Sequence, residues 1–164
     1  MKMDEKTGKF LIYVAVIIVG LVVVVKILGG IDSFLEMLGL RDSADKKKNQ
    51  EKINAANSNS SGSPFNPNLY KTRPTGTKVL TNVQANDLAM KVHDSVGYIY
   101  DTPEQAEAAF KQCDSKVKVS QICNAMSDQY DIDAFEWMKR TFDTASQVSI
   151  LASIVDYCNN LKTY

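Results

Sequence analysis

The chain has 164 residues, enough for about one domain once segments unable to join a soluble core are set aside. Its zero formal net charge hides an uneven distribution: residues 1–31 carry four Lys against Asp4 and Glu5 (+2), residues 32–79 eight Lys/Arg against five Asp/Glu (+3), and residues 80–164 seven against twelve (−5). An acidic C-terminal half excludes nucleic acid as its ligand, because neutralising phosphates takes clusters of Lys and Arg, and it disfavours direct docking of that half on anionic lipid.

Residues 1–9 form a short tail containing Lys2, Lys6 and Lys9. From Phe10 to Val25 there is no charge, and Phe10, Leu11, Ile12, Tyr13, Val14, Ile17, Ile18, Val22 and Val25 give a continuous apolar surface, with Lys26 able to snorkel at its end. Extended to residue 28, this run predicts a transmembrane helix over residues 10–28. Its nineteen residues would rise about 28 Å, close to the roughly 30 Å of a hydrocarbon core. A cleaved signal peptide is the rival, but no A-x-A-like site follows and the apolar stretch exceeds a usual signal core. The expected localisation is therefore a membrane, single-pass. Orientation stays open: Lys2, Lys6 and Lys9 face Arg41, Lys46, Lys47 and Lys48 across the run, with Lys26 tilting the balance slightly toward a cytoplasmic or virion-interior C-terminus.

Within residues 29–40, Ile31, Phe34, Leu35 and Leu38 recur at helical spacing after Gly29-Gly30. They suit an interfacial helix lying along headgroups, or a frayed continuation of the anchor. Residues 41–79 are rich in charge, Asn, Ser, Gly and Pro and read as a flexible, disordered polar linker. Inside it Phe65-Asn66-Pro67-Asn68-Leu69-Tyr70 is an apolar island, suited to docking on the head, docking on a partner, or disorder.

Residues 80–164 predict an all-α domain. Four N-cap candidates stand three positions before an amide or carboxylate: Thr81 with Gln84, Thr102 with Gln105, Asp133 with Glu136, and Thr144 with Gln147. A further helix starts near Ser115. One-sided apolar stripes follow each start: Leu88, Val92 and Val96; Ala106, Ala109, Phe110 and Cys113; Val119, Ile122, Cys123, Met126 and Tyr130; Phe135, Met138 and Phe142; Leu151, Ile154, Val155 and Cys158. The three cysteines lie on these stripes and read as small buried hydrophobes, a disulfide being the alternative for a head outside the cytoplasm. No zinc spacing is present and no cofactor is implied.

Five short helices between Thr81 and Tyr164, with the turns Tyr100-Asp101-Thr102-Pro103-Glu104 and Gln129-Tyr130-Asp131-Ile132-Asp133 before Phe135, resemble one annexin repeat. The resemblance implies calcium-dependent phospholipid binding through a Gly-x-Gly-Thr loop and a distant acidic ligand. Aligned on Thr102, the glycine positions fall on Ile99 and Asp101, and Gly97 is displaced, so the loop reads as disabled with Asp101, Glu136 and Asp143 as the remaining carboxylates. The layout of anchor, Leu38-Gly39-Leu40, polar stretch, FNPN segment and lone helical domain also resembles small proteins of Bacteroidetes and their phages. That likeness implies a structural or adaptor role in a bacterial envelope or virion membrane.

For catalysis, His93 is the one histidine, and its sequence neighbours Asp94 and Ser95 are not expected to face it on a helix. Glu104, Glu107 and Glu136 are the carboxylates a cell-wall hydrolase would draw on. No catalytic residue is assigned, and the chain reads as non-enzymatic, with the bilayer and a protein bound by residues 80–164 as its partners.

Overall fold

In the computed structural model the described residues are 44–56, 59–97 and 101–164, together with Tyr13, Gly20 and Val23. The chain divides into two units, residues 1–43 and a compact one that begins at Ala44. In the first unit Tyr13, Gly20 and Val23 are helical, and Tyr13 and Val23 are exposed. Every other residue named for the anchor, and Ile31, Phe34, Leu35 and Leu38 of the interfacial segment, lies outside the described residues. Among the described residues no helix is long and apolar enough to cross a membrane.

The second unit is all-helical. Its helices are α1 (Ala44–Ala55), α2 (Asn82–Asp94), α3 (Pro103–Phe110), α4 (Lys116–Tyr130), α5 (Ala134–Thr141) and α6 (Ala145–Asn160), with a 3-10 turn at Leu69–Thr72. Among the described residues there is no strand, only an isolated bridge between Ser115 and Lys162.

The starts follow local hydrogen-bond chemistry. Thr81 and Thr144 close full capping boxes: each hydroxyl accepts from the backbone N–H three residues on, and Gln84 or Gln147 reaches back to the cap's own N–H. Asp133 accepts from Phe135 N and Glu136 N, both at 3.0 Å. Thr102 makes no side-chain cap bond; α3 starts instead on Pro103, whose missing N–H needs no partner. Ser115 also makes none. The first N–H groups of α4 are met by the segment after α6, with Lys162 O accepting from Lys116 N (2.9 Å) and Thr163 O from Val117 N (3.3 Å). Helix α4 ends at Asp131 in a left-handed conformation (φ 55°), a short polar residue that tolerates this region, and the sharp turn delivers Asp133 to cap α5.

Helix α4 is the axis of the unit. From Val119 to Met126 every residue is buried, and α2, the 3-10 turn, α5 and α6 all pack against it. The predicted stripes turn inward, with Val96 and Tyr130 half-buried at the margin.

The described residues of the expected flexible linker 41–79, namely 44–56 and 59–79, are instead part of the compact unit. Ala44–Ala55 is helical and lies along α6, with Ile53 fully buried and Lys52 Nζ 2.6 Å from Asp156 Oδ2. Phe65 enters the core, stacked on Phe135 (centroids 4.7 Å, 22°) and edge-on to Phe110 (5.9 Å, 80°). Leu69 is buried beside it. Ser120 of α4 ties down this apolar island, its hydroxyl accepting from Tyr70 N and donating to Asn66 O. The physical reason is that one aromatic and two aliphatic side chains, well placed, remove enough apolar surface from water to order a polar stretch, at roughly 1.5–3 kcal/mol for each large side chain. The compact unit therefore spans residues 44–164, with six α-helices among its described residues, not residues 80–164 with five.

Candidate functional site

His93 occupies the last turn of α2 and is built into a stack of rings. It lies 4.1 Å from Tyr130 at 15° and 6.1 Å from Trp137 at 5°. Its Nδ1 is 3.0 Å from Asp94 Oδ1, so these sequence neighbours do meet, contrary to expectation: at the exposed helix end both side chains are free to swing together. Ser95 does not complete a triad. Its hydroxyl is buried and donates to Val92 O at 2.6 Å, and its oxygen is thereby committed to ending α2. The Trp137 indole N–H is buried without a hydrogen-bond partner among the described residues.

Each carboxylate considered for hydrolysis has a structural task. Glu104 is exposed in the first turn of α3, where it complements the helix dipole. Glu136 holds the same position in α5 and pairs with Lys139 at 3.1 Å. Glu107 accepts from Lys111 Nζ (2.9 Å) and from Ser153 Oγ (2.7 Å), and these two bonds hold its carboxyl below the usual carboxylate range. A general acid for glycoside cleavage needs the opposite shift.

The residues named for calcium are partly brought together. The Gln147 side chain donates from Nε2 to Asp101 Oδ2 (3.0 Å), and its Oε1 accepts from the backbone N–H of Asp143 and Thr144. One amide thus links the Asp101 and Asp143 turns and engages one Asp101 carboxylate oxygen. Among the described residues no group of three or more His, Cys, Asp or Glu is placed to hold a metal.

Cys113, Cys123 and Cys158 are all free and buried. Burial pushes the Cys113 thiol up to about 12 and raises those of Cys123 and Cys158 as well, which leaves all three as inert thiols at neutral pH.

One concavity among the described residues is a groove of about 540 Å³ that sequence reading did not locate. Lys78 reaches it from the segment before α2, Lys91 from α2 and Lys118 from the first turn of α4. Gln121 fixes that segment, its Oε1 accepting from Leu80 N at 2.9 Å and its Nε2 donating to Leu80 O at 2.8 Å. Lys118 is half-buried and paired with Asp114 at 2.9 Å, whereas Lys78 and Lys91 have no ion-pair partner among the described residues. Asp87 is the sole carboxylate lining the groove. With Lys118 offset by Asp114, the unpaired Lys78 and Lys91 against Asp87 leave the groove locally cationic. Nothing in the spacing of Lys78, Lys91 and Lys118 announces it, since only the packing of α2 against α4 brings them together.

Comparison with known proteins finds no matching family model, no matching curated protein and no matching solved structure.

Proposed function

We propose that this chain is a single-pass membrane protein that presents a non-enzymatic helical interaction domain, as a structural or adaptor component of a bacterial envelope or a phage virion membrane. The observation that carries the non-enzymatic part is the engagement of the candidate catalytic groups: Glu107 is held ionised by Lys111 and Ser153, and the Ser95 hydroxyl is bonded to Val92 O. The membrane part rests on the uncharged run from Phe10 to Val25 and on the basic residues that flank it. A compact domain with a filled interior and a lysine-lined groove on its surface suits recognition of another protein better than turnover of a substrate.

Alkaline carbonate washing of native membranes or virions tests the anchor. The full chain is expected to stay in the pellet, and a chain lacking residues 10–28 to leave it; release of the full chain into the supernatant overturns the reading. A tag at Tyr164 with protease protection then fixes the side on which the domain stands.

A further inference from the structure

The groove between the Lys78–Leu80 segment, α2 and the start of α4 has two kinds of unused binding capacity. The first is charge: Lys78 and Lys91 are exposed and unpaired among the described residues, Lys118 stands beside them, and Asp87 is the only opposing carboxylate in the lining. The second is main chain. Gln121 consumes the N–H and C=O of Leu80, but Lys78 and Val79, which also line the groove, enter no hydrogen bond among the described residues. Both residues belong to a segment outside any helix.

A simple anion would use the ammonium groups and leave the backbone carbonyls unmet. An extended peptide uses both, pairing main chain with main chain while its side chains select the site. The opposite charge to the two unpaired lysines, Lys78 and Lys91, is carboxylate. We propose that this groove docks an extended, acidic segment of a protein partner. The assignment deepens the interaction-domain reading and rests on it, by giving the partner's chemistry and the place where it binds.

The test uses the full-length chain in an uncharged detergent and a fluorescein-labelled hexaglutamate peptide, followed by fluorescence anisotropy. Wild type is expected to bind saturably. The double variant K78E/K91E, at two exposed positions, is expected to lose about tenfold or more in affinity with unchanged far-UV circular dichroism, because like charges then face each other. K47E/K48E, a charge reversal of the same size on the exposed side of α1, is expected to stay within about twofold. Hexaglutamate carrying N-methyl groups at alternate residues is expected to bind about tenfold less tightly, having lost half its backbone donors. Absence of saturable binding overturns the proposal. So does equal loss in the two lysine variants, equal binding of the N-methylated peptide, or complete competition by an equal concentration of inorganic phosphate. Failure here with the chain retained in carbonate-washed membranes removes the groove assignment alone; peptide binding by a chain that carbonate releases removes the membrane reading alone.

Discussion

Residues 80–164 form helices whose caps and apolar stripes lie within a few positions of one another, whereas residues 44–79 are held in place by side chains far along the sequence. The first region has its starting signals in its own turns, as at Thr81 and Thr144. The second depends on Ile53, Phe65 and Leu69 entering a core supplied by α4, α5 and α6, and on Ser120 receiving the 66–70 turn. Charge divides the same way: seven Lys/Arg against Asp45 and Glu51 give residues 44–79 a charge of +5, cancelling the −5 of residues 80–164. The folded unit is neutral, and the Lys52–Asp156 pair is one seam where the two signs meet. The lesson is that a basic, polar stretch beside an acidic helical domain can be part of that domain when a few apolar residues punctuate it.

The comparison is broken most severely at Phe65. Phe65→Ala removes the ring stacked between Phe135 and Phe110 and leaves a cavity, an expected loss of about 3–5 kcal/mol in denaturant unfolding of the full chain. The same variant is expected to increase alkylation of Cys123, which shares a small cavity with Phe65 and Pro67. A loss under about 1 kcal/mol would mean that residues 44–79 rest on the helices without contributing to their core.

Ser120 sharpens the comparison at a polar contact. Ser120→Ala leaves Tyr70 N–H without its partner and Asn66 C=O with Leu69 N–H alone, and is expected to cost about 1–3 kcal/mol. Hydrogen exchange supplies the check: protection of the Tyr70 amide should fall more than that of amides in the middle of α4.

The smallest expected effects lie wholly within residues 80–164. Thr81→Ala and Thr144→Ala each lose a closed capping box and are expected to cost about 1 kcal/mol, measured by thermal unfolding. Thr102→Ala loses no cap bond and should stay within about 0.5 kcal/mol of wild type. Equal effects at all three positions would contradict the difference in their geometry.

These contrasts explain what is legible from sequence. The helix starts at Thr81, Asp133 and Thr144 are readable because a cap acts over three residues, and the stripes ending in Cys113, Tyr130 and Cys158 because helical spacing places them on one face. Thr102 misleads because Pro103 begins α3 without a side-chain cap. The helix Ala44–Ala55 is not legible: its own residues are almost all polar and Ile53 alone is buried, so its stability comes from α6, which no local window contains. The docking of Phe65 is one of three open readings of the sequence, and only the rings of Phe110 and Phe135 decide it. Lys78, Lys91 and Lys118 share a groove for a tertiary reason, and the same holds for the rings of His93, Tyr130 and Trp137.

The pairing of Lys162 and Thr163 with the start of α4 has a consequence for the order in which the protein matures on the ribosome. Helix α4 supports most of the unit, yet the amide groups of Lys116 and Val117 have only water as partner until the chain has been synthesised through Thr163 and has cleared the exit tunnel. The central helix is thus translated well before the residues that finish its first turn, and the nascent domain stays unlatched at that end until then.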